Sequence, residues 1–409
     1  MEFINVKLSD IGEVVGGSTP STKNPDNYDG NIAWITPKDL AGYSKVYISR
    51  GERNITEAGF KSCSTKMLPK NSVLFSSRAP IGYVAISEND LCTNQGFKSI
   101  IPNEKVDYKF LYYLLKHNKD YIASKGSGST FKEVSGSVMK GIELSIPKDI
   151  NDQRRISKVL FDIDKKIELN NEINNNLQEF SNSIFKEWFV QFKYPEFNGK
   201  LKNSELGDIP ENWEIGYFDD YKLTSIVKSG VSKYDGLKKY VATADVTGTN
   251  ITSYVEVDYN DKPSRANMTP IVSSVWFAKM ENSVKNIIVD SYMEDILENY
   301  IFSTGFMGVE CINNSLYYIW NLINDDRFLQ DKNSLSTGTL MAGISNSTIK
   351  NYKYLIPDKN TLHKFNEIQL NINKEIYNNN KENERLSQLR DILLPKLMNG
   401  EIDLENIEI

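Results

Sequence analysis

Few of the residue sets that carry chemistry occur at usable spacing in this 409-residue chain. Its two histidines, His117 and His363, lie far apart with no ligand-spaced Cys or His beside either, so no metal is expected. The glycines of "GSGST", residues 126–130, lack the lysine and the strand-to-helix context of a phosphate loop. Pro357-Asp358 could open a nuclease motif, yet no Glu-x-Lys or Asp-x-Lys follows at a suitable distance, and no Asn-Pro-Pro-aromatic methyltransferase motif occurs. Three cysteines, Cys63, Cys92 and Cys311, are too few and too scattered for a disulfide framework. The opening "MEFINVKLSD" lacks the basic and apolar regions of a signal peptide, and no apolar run nears the roughly 20 residues that span a bilayer. A cytoplasmic protein with no membrane contact is the expectation.

The remaining candidates are basic and polar. Residues 1–150 carry a net charge of +3 and the rest of the chain -9, so charge is segregated within a total of -6. In the first region Lys23, Lys38, Lys45, Arg50, Arg53, Lys61, Lys66 and Arg78 are interleaved with Ser, Thr, Asn and Tyr, the mixture that binds phosphates and reads base edges. The runs "LFSSRAPIG" and "TNQGF" place Ser76, Ser77, Arg78, Asn94 and Gln95 beside β-like segments. Arg, Asn and Gln make the bidentate pairs to guanine and adenine. Equally, Arg78 can pair with a carboxylate and Asn94 can close a turn. A second basic cluster lies between residues 222 and 285 and includes Lys228, Lys233, Lys238, Lys239, Arg265 and Lys279, with nine basic against six acidic groups. Lys23, Arg50, Lys66, Lys233 and Lys239 are expected to position phosphates.

Two basic clusters need two scaffolds, and the chain repeats at a period near 210. "GSGSTFKEVSGSVMKGIELSIP", ending at Pro147, lines up with "STGTLMAGISNSTIKNYKYLIP", ending at Pro357, so that Gly128 falls on Gly338 and Ser135 on Ser345. Upstream, "WITPKDL" resembles "YVATADV", with Asp39 over Asp245, and "TNQGFKSI" resembles "FSTGFMGV". Short β-rich runs alternate with turns and helical stretches, so each globe is expected to mix α and β. A long helical pattern follows each. In the first, Ile156, Leu160, Ile163, Ile167, Ile173, Leu177, Phe180, Ile184 and Trp188 recur mostly at three and four. Phe365, Ile372, Ile376, Leu386, Leu389, Leu393 and Leu397 do so in the second. A globe at one end cannot bury the stripe of a helix roughly 50 Å long. The economical arrangement pairs the two helices antiparallel about a pseudo-two-fold axis, with Ile156, Leu160, Ile163, Ile167, Leu177 and Ile184 against Phe365, Ile372, Ile376, Leu386 and Leu393. Asparagines cluster midway in both (Asn170, Asn171, Asn174–Asn176; Asn378–Asn380, Asn383), either to fix register or as a solvated face. Outward faces are expected to leave Phe185 and Phe189 uncovered.

The resemblance these segments carry is to the specificity subunits of type I restriction-modification systems, over essentially the whole chain. It rests on "DQRRISKVLFDIDKKIELNNEIN", "FKEWFVQFKYPEFNGK", "SELGDIPENWE" and "RLSQLRDILLPKLMNGEI", with "GGSTPSTKNPDNYDGNIAWITPKDL" and "LPKNSVLFSSRAPIGYVAI" in the first globe. It implies an α+β protein of two mixed α/β target-recognition domains separated by two long antiparallel helices forming a coiled coil. Expected boundaries are 1–150 for the first domain, 151–192 for its helix, 193–212 for a linker, 213–358 for the second domain and 359–409 for the last helix and tail. The resemblance further implies no catalysis on this chain, a bipartite double-stranded DNA target, and two partner methyltransferase subunits that carry S-adenosylmethionine and modify adenine. Restriction subunits are admitted as further partners. A second helix opening with "TLHKFNEIQ" where the first has "NDQRRISKV", and an acidic second globe, depart from equality of the halves. Two other readings stay open. A protein-only coiled-coil adaptor predicts no salt-dependent duplex binding, and an enzyme needs a motif the chain lacks.

Overall fold

A computed structural model describes residues 1–128, 132–336, 342–402 and 404. Ser129 and Thr130 of "GSGST", and Gly338, lie outside the described residues. Strands and helices are mixed throughout, and the chain divides into two compact units, residues 1–172 with 379–409 and residues 173–378.

The first unit is organised by a five-stranded sheet in the order Gly12–Gly16, Lys98–Pro102, Val73–Ser77, Ile81–Ser87, Tyr47–Ile48. Its strands are antiparallel except for the last pair. Every residue of the central strand Val73–Ser77 is buried, because other elements cover both faces. One cover is the helix Tyr108–His117, whose exposed first N–H groups are satisfied by Asp107, which accepts from Lys109 N (3.0 Å) and Phe110 N (2.9 Å). Phe110 to Leu115 of that helix are all buried. Phe75, Ile86, Ile100, Phe110 and Leu114 share one core with Ile156 and Leu160 of the first long helix and Leu397 and Met398 of the second.

In the second unit the same plan recurs. A four-stranded sheet orders Thr224–Ile226, Phe306–Cys311, Ser274–Ala278, Asn286–Val289, and the helix Leu316–Asn324 packs on it. The repeat holds at the level of single bonds. The pair Phe3–Lys7 with Glu143–Pro147 is matched by Glu214–Tyr217 with Lys353–Ile356. Parallel pairing sets Ile35 opposite Thr93 in one unit and Val241 opposite Phe302 in the other. Asp39 accepts from Thr36 N (2.7 Å) as Asp245 accepts from Ala242 N (2.8 Å). Ser135 and Ser345 each cap a short helix by accepting from the N–H three residues on. Within 193–212, read as a linker with turns, Leu201–Ser204 and Gly207–Pro210 form a hairpin. Its tight two-residue turn ends on Gly207, whose φ of 92° a residue with a Cβ would rarely adopt.

The first long helix spans Ile150–Phe185 and ends in a π-helical turn, Lys186–Val190; the second spans Lys359–Met398. In each unit a segment of one runs antiparallel to a segment of the other. In the first, Arg390 Nη1 pairs with Asp164 Oδ1 (2.6 Å), while Asn170 Nδ2 donates to Glu382 Oε2 (2.7 Å) and Asn383 Oδ1 (2.9 Å). In the second, Ser181 Oγ donates to Gln369 Oε1 (2.7 Å), and Phe185 packs on Phe365. Of the expected seam residues, Ile156, Leu160, Phe365 and Ile372 are buried, and Ile163, Ile167, Leu177, Ile184, Ile376, Leu386 and Leu393 are half-buried. The expectation of uncovered Phe185 and Phe189 is corrected. Both are buried in an aromatic cluster with Trp188, Trp213, Tyr318 and Phe365, which the second unit supplies around them. The uncovered apolar groups on the helices are instead Leu169, Ile173, Phe180, Leu370, Leu389 and Ile392.

Candidate nucleic-acid interface

Strand ends, a turn and a short β-bridge build the same cradle in both units. In the first, Ser77 N donates to Gly96 O (2.7 Å) and Val134 N to Ser77 O (3.0 Å), with Arg78 bridged to Glu133. In the second, Lys279 N donates to Gly305 O (2.9 Å) and Ile344 N to Lys279 O (2.9 Å), with Met280 bridged to Gly343. The backbone thus superposes Ser77 on Lys279, Arg78 on Met280, and Glu133 on Gly343. The turn "TNQGF" over "STGF" adds Lys98 on Met307. One cradle is lined by charge and the other largely by methionine.

The fold divides the candidate base readers. Ser76 and Ser77 are buried: Ser76 Oγ donates to Pro80 O (2.8 Å) and accepts from Tyr83 N (2.8 Å), and Ser77 Oγ donates to Gly96 O (3.2 Å). Asn94 Oδ1 closes its own turn by accepting from Gly96 N (2.8 Å). Gln95 is exposed and accepts from Thr19 Oγ1. Arg78, about one-third exposed, has its Nη1 3.6 Å from Glu133, whose other oxygen takes Lys98 Nζ at 3.3 Å. Lys98 and Glu133 were missed from the sequence. The only signal for Lys98 is its place next to buried Phe97, where alternation turns its side chain to the other face.

Some of the basic residues are held by partners and others are exposed. Lys38 pairs with Glu52 (2.7 Å), whose hydrogen bond raises its pKa, Lys45 with Glu172 (3.1 Å), Lys66 with Glu13 (3.5 Å) and Lys239 with Asp295 (3.1 Å). Arg50 donates to Gly30 O (3.3 Å). Arg53 lies over the Tyr28 ring at 3.8 Å, also 3.6 Å from Asp29, and Lys238 lies 5.3 Å from the Tyr234 ring. Lys23, Lys61, Lys228, Lys233 and Arg265 are exposed. Lys279 is half-buried in a cleft of the second unit, and burial alone lowers its pKa. Among the described residues no cluster of His, Cys, Asp or Glu could hold a metal ion, and no helix is long and apolar enough to cross a membrane.

Residues 2–179 match the type I restriction modification DNA specificity domain. The chain is 36% identical over 415 residues to the MjaIX type I restriction enzyme specificity subunit of Methanocaldococcus jannaschii, covering 98% of this chain and 94% of that one. It is 23% identical to the HindI specificity subunit of Haemophilus influenzae, covering 82% of this chain and 88% of that one. In fold it is similar to the crystal structure of the type I restriction-modification S subunit of M. genitalium, with a TM-score of 0.59 at 15% identity, covering 97% of this chain and 96% of that one. A duplicated α+β unit, paired antiparallel helix segments and near full-length identity to such subunits agree: the chain belongs to the specificity subunits of type I restriction-modification systems.

Proposed function

We propose that the chain reads a bipartite, asymmetric DNA site, one unit per half-site, and scaffolds two methyltransferase subunits. The partners bring S-adenosylmethionine and transfer the methyl group to adenine, and restriction subunits join as further partners. This chain supplies sequence choice and no catalysis. The duplication carries the reading: two copies of one cradle are built from unlike residues, Arg78, Lys98 and Glu133 against Met280, Met307 and Gly343, so the two half-sites differ. In the first unit Lys23, Arg50, Lys61 and Lys66 hold the backbone while Arg78 and Gln95 lie near the bases. The basic residues of 228–279 serve the second unit.

The long helices set the unread spacer between the half-sites. Half-sites one turn apart are roughly 34 Å from centre to centre. Removing about one helical turn from both helices, near Asn174 and Asn380, should change the spacer and leave both half-site sequences alone; unchanged spacing in a folded, active variant would sink the ruler. The test of the whole is methylation-sensitive sequencing of DNA from cells expressing the chain with its methyltransferase. The modified motif should show two unlike half-sites at fixed spacing. A single continuous motif, or methyl transfer by the purified chain alone, would overturn the reading. Duplex binding that does not weaken with salt would favour a protein-only adaptor.

A further inference from the structure

The two cradles share backbone geometry but differ in where their negative charge comes from. In the first unit, the carboxylate of Glu133 sits between Arg78 (3.6 Å) and Lys98 (3.3 Å), so an anion is built in. In the second unit Gly343 occupies the position of Glu133, and Lys279 replaces Ser77. Among the described residues no carboxylate pairs with Lys279. An amine drawn partly out of water without a counter-charge is unfavourable unless an anion arrives from outside.

The cleft suits such an anion. Ser229, Thr304 and Asn346 line it beside Lys279, together with Phe306 and Met307. Among the described residues no carboxylate lines the cleft. Hydroxyl and amide donors around one ammonium match the tetrahedral oxygens of a phosphate.

We propose that this cleft of the second unit seats a single DNA backbone phosphate on Lys279, where Glu133 fills the corresponding place in the first unit with an internal carboxylate. The assignment rests on the DNA-reading function proposed above. It gives the second unit a salt-dependent contact of its own, although its overall charge is the more acidic.

The test uses the full chain assembled with its methyltransferase subunits and duplexes carrying its motif or single-base variants of it. Lys279→Ala should weaken binding to every duplex alike, about fivefold near 0.15 M salt, and lower the slope of log affinity against log salt by about 0.9, the signature of one lost phosphate contact. Lys279→Arg should restore most of both. Unchanged affinity and slope in Lys279→Ala would overturn the assignment. A loss confined to one base of the second half-site would also overturn it, by making Lys279 a base reader. If the unaltered complex shows no salt-dependent duplex binding, the DNA-reading function itself fails and this assignment with it.

Discussion

Arg78 faces a choice between partners, because Glu133 holds it at 3.6 Å while both side chains remain about one-third exposed. An exposed pair of this kind is worth little, so a guanine edge can draw the guanidinium away. Arg78→Ala should cost about 1 to 3 kcal/mol of binding and relax the preferred base in one half-site only, read by competition among single-base variants; equal loss across all sequences would make Arg78 a phosphate contact. Ser77 should behave differently. Ser77→Ala removes a buried hydrogen bond to Gly96 O and should lower unfolding stability by about 1 kcal/mol, with base preference unchanged. Lys332 offers a pH test in the second unit. It is buried, donates to Ala278 O (3.2 Å) and Ser283 O (2.6 Å), and burial pushes its pKa down to about 8 from 10.5. Between these values the unfolded chain holds a proton that the folded chain has released. Stability from this group therefore rises with pH across that window, by up to about 3 kcal/mol, and Lys332→Met should lack the rise in paired denaturant titrations. Residue types were legible in the sequence, but their exposure was not. Ser76 and Ser77 read as free hydroxyls because a strand covered on both faces leaves no alternation to show which side chains are hidden.

Among the elements, the long helices were the most legible, since a stripe at three and four survives over ten turns. Their pairing in each unit follows from the same pattern. What the pattern missed is polar. Asn170 is buried and donates across to Glu382 and Asn383, and Asn383 Nδ2 returns a bond to Asn171 Oδ1 (2.9 Å), whereas Asn175 and Asn176 are exposed. The cluster thus divides into buried or half-buried, cross-helix bonded asparagines and exposed ones. Asn170→Ala removes the donor to Asn383 Oδ1, while Glu382 keeps Lys166 (3.2 Å), and should destabilise the first unit by about 1 to 3 kcal/mol, whereas Asn176→Ala should be near neutral in the same denaturant assay. Comparable losses for the two would show that Asn170 fixes nothing. Phe185 and Phe189 were misjudged because periodicity identifies an apolar face without saying what covers it. Here Trp213 and Tyr318 do.

Across the whole molecule, each unit contains one buried thiol that reports on it. Burial pushes Cys92, in the first, up to about 11 and raises Cys311, in the second, while Cys63 is half-buried. Iodoacetamide at neutral pH should therefore reach Cys63 first in the folded chain. Phe110→Ala, a core loss of about 3 to 5 kcal/mol in the first unit, should speed labelling of Cys92 more than that of Cys311; equal acceleration would mean that the chain opens as one body. The division of the chain also has a consequence in time. The first unit is completed by a segment that begins at residue 379 and is made only after the whole second unit, and Ile156 and Leu160 share their core with Leu397 and Met398. Roughly 200 residues are synthesised in between, on the order of 10 to 40 s at about 5 to 20 residues per second. Throughout that interval the nascent first unit carries an open apolar seam, so a frameshift or stop codon just before residue 379 should cripple the half of the protein that left the ribosome first.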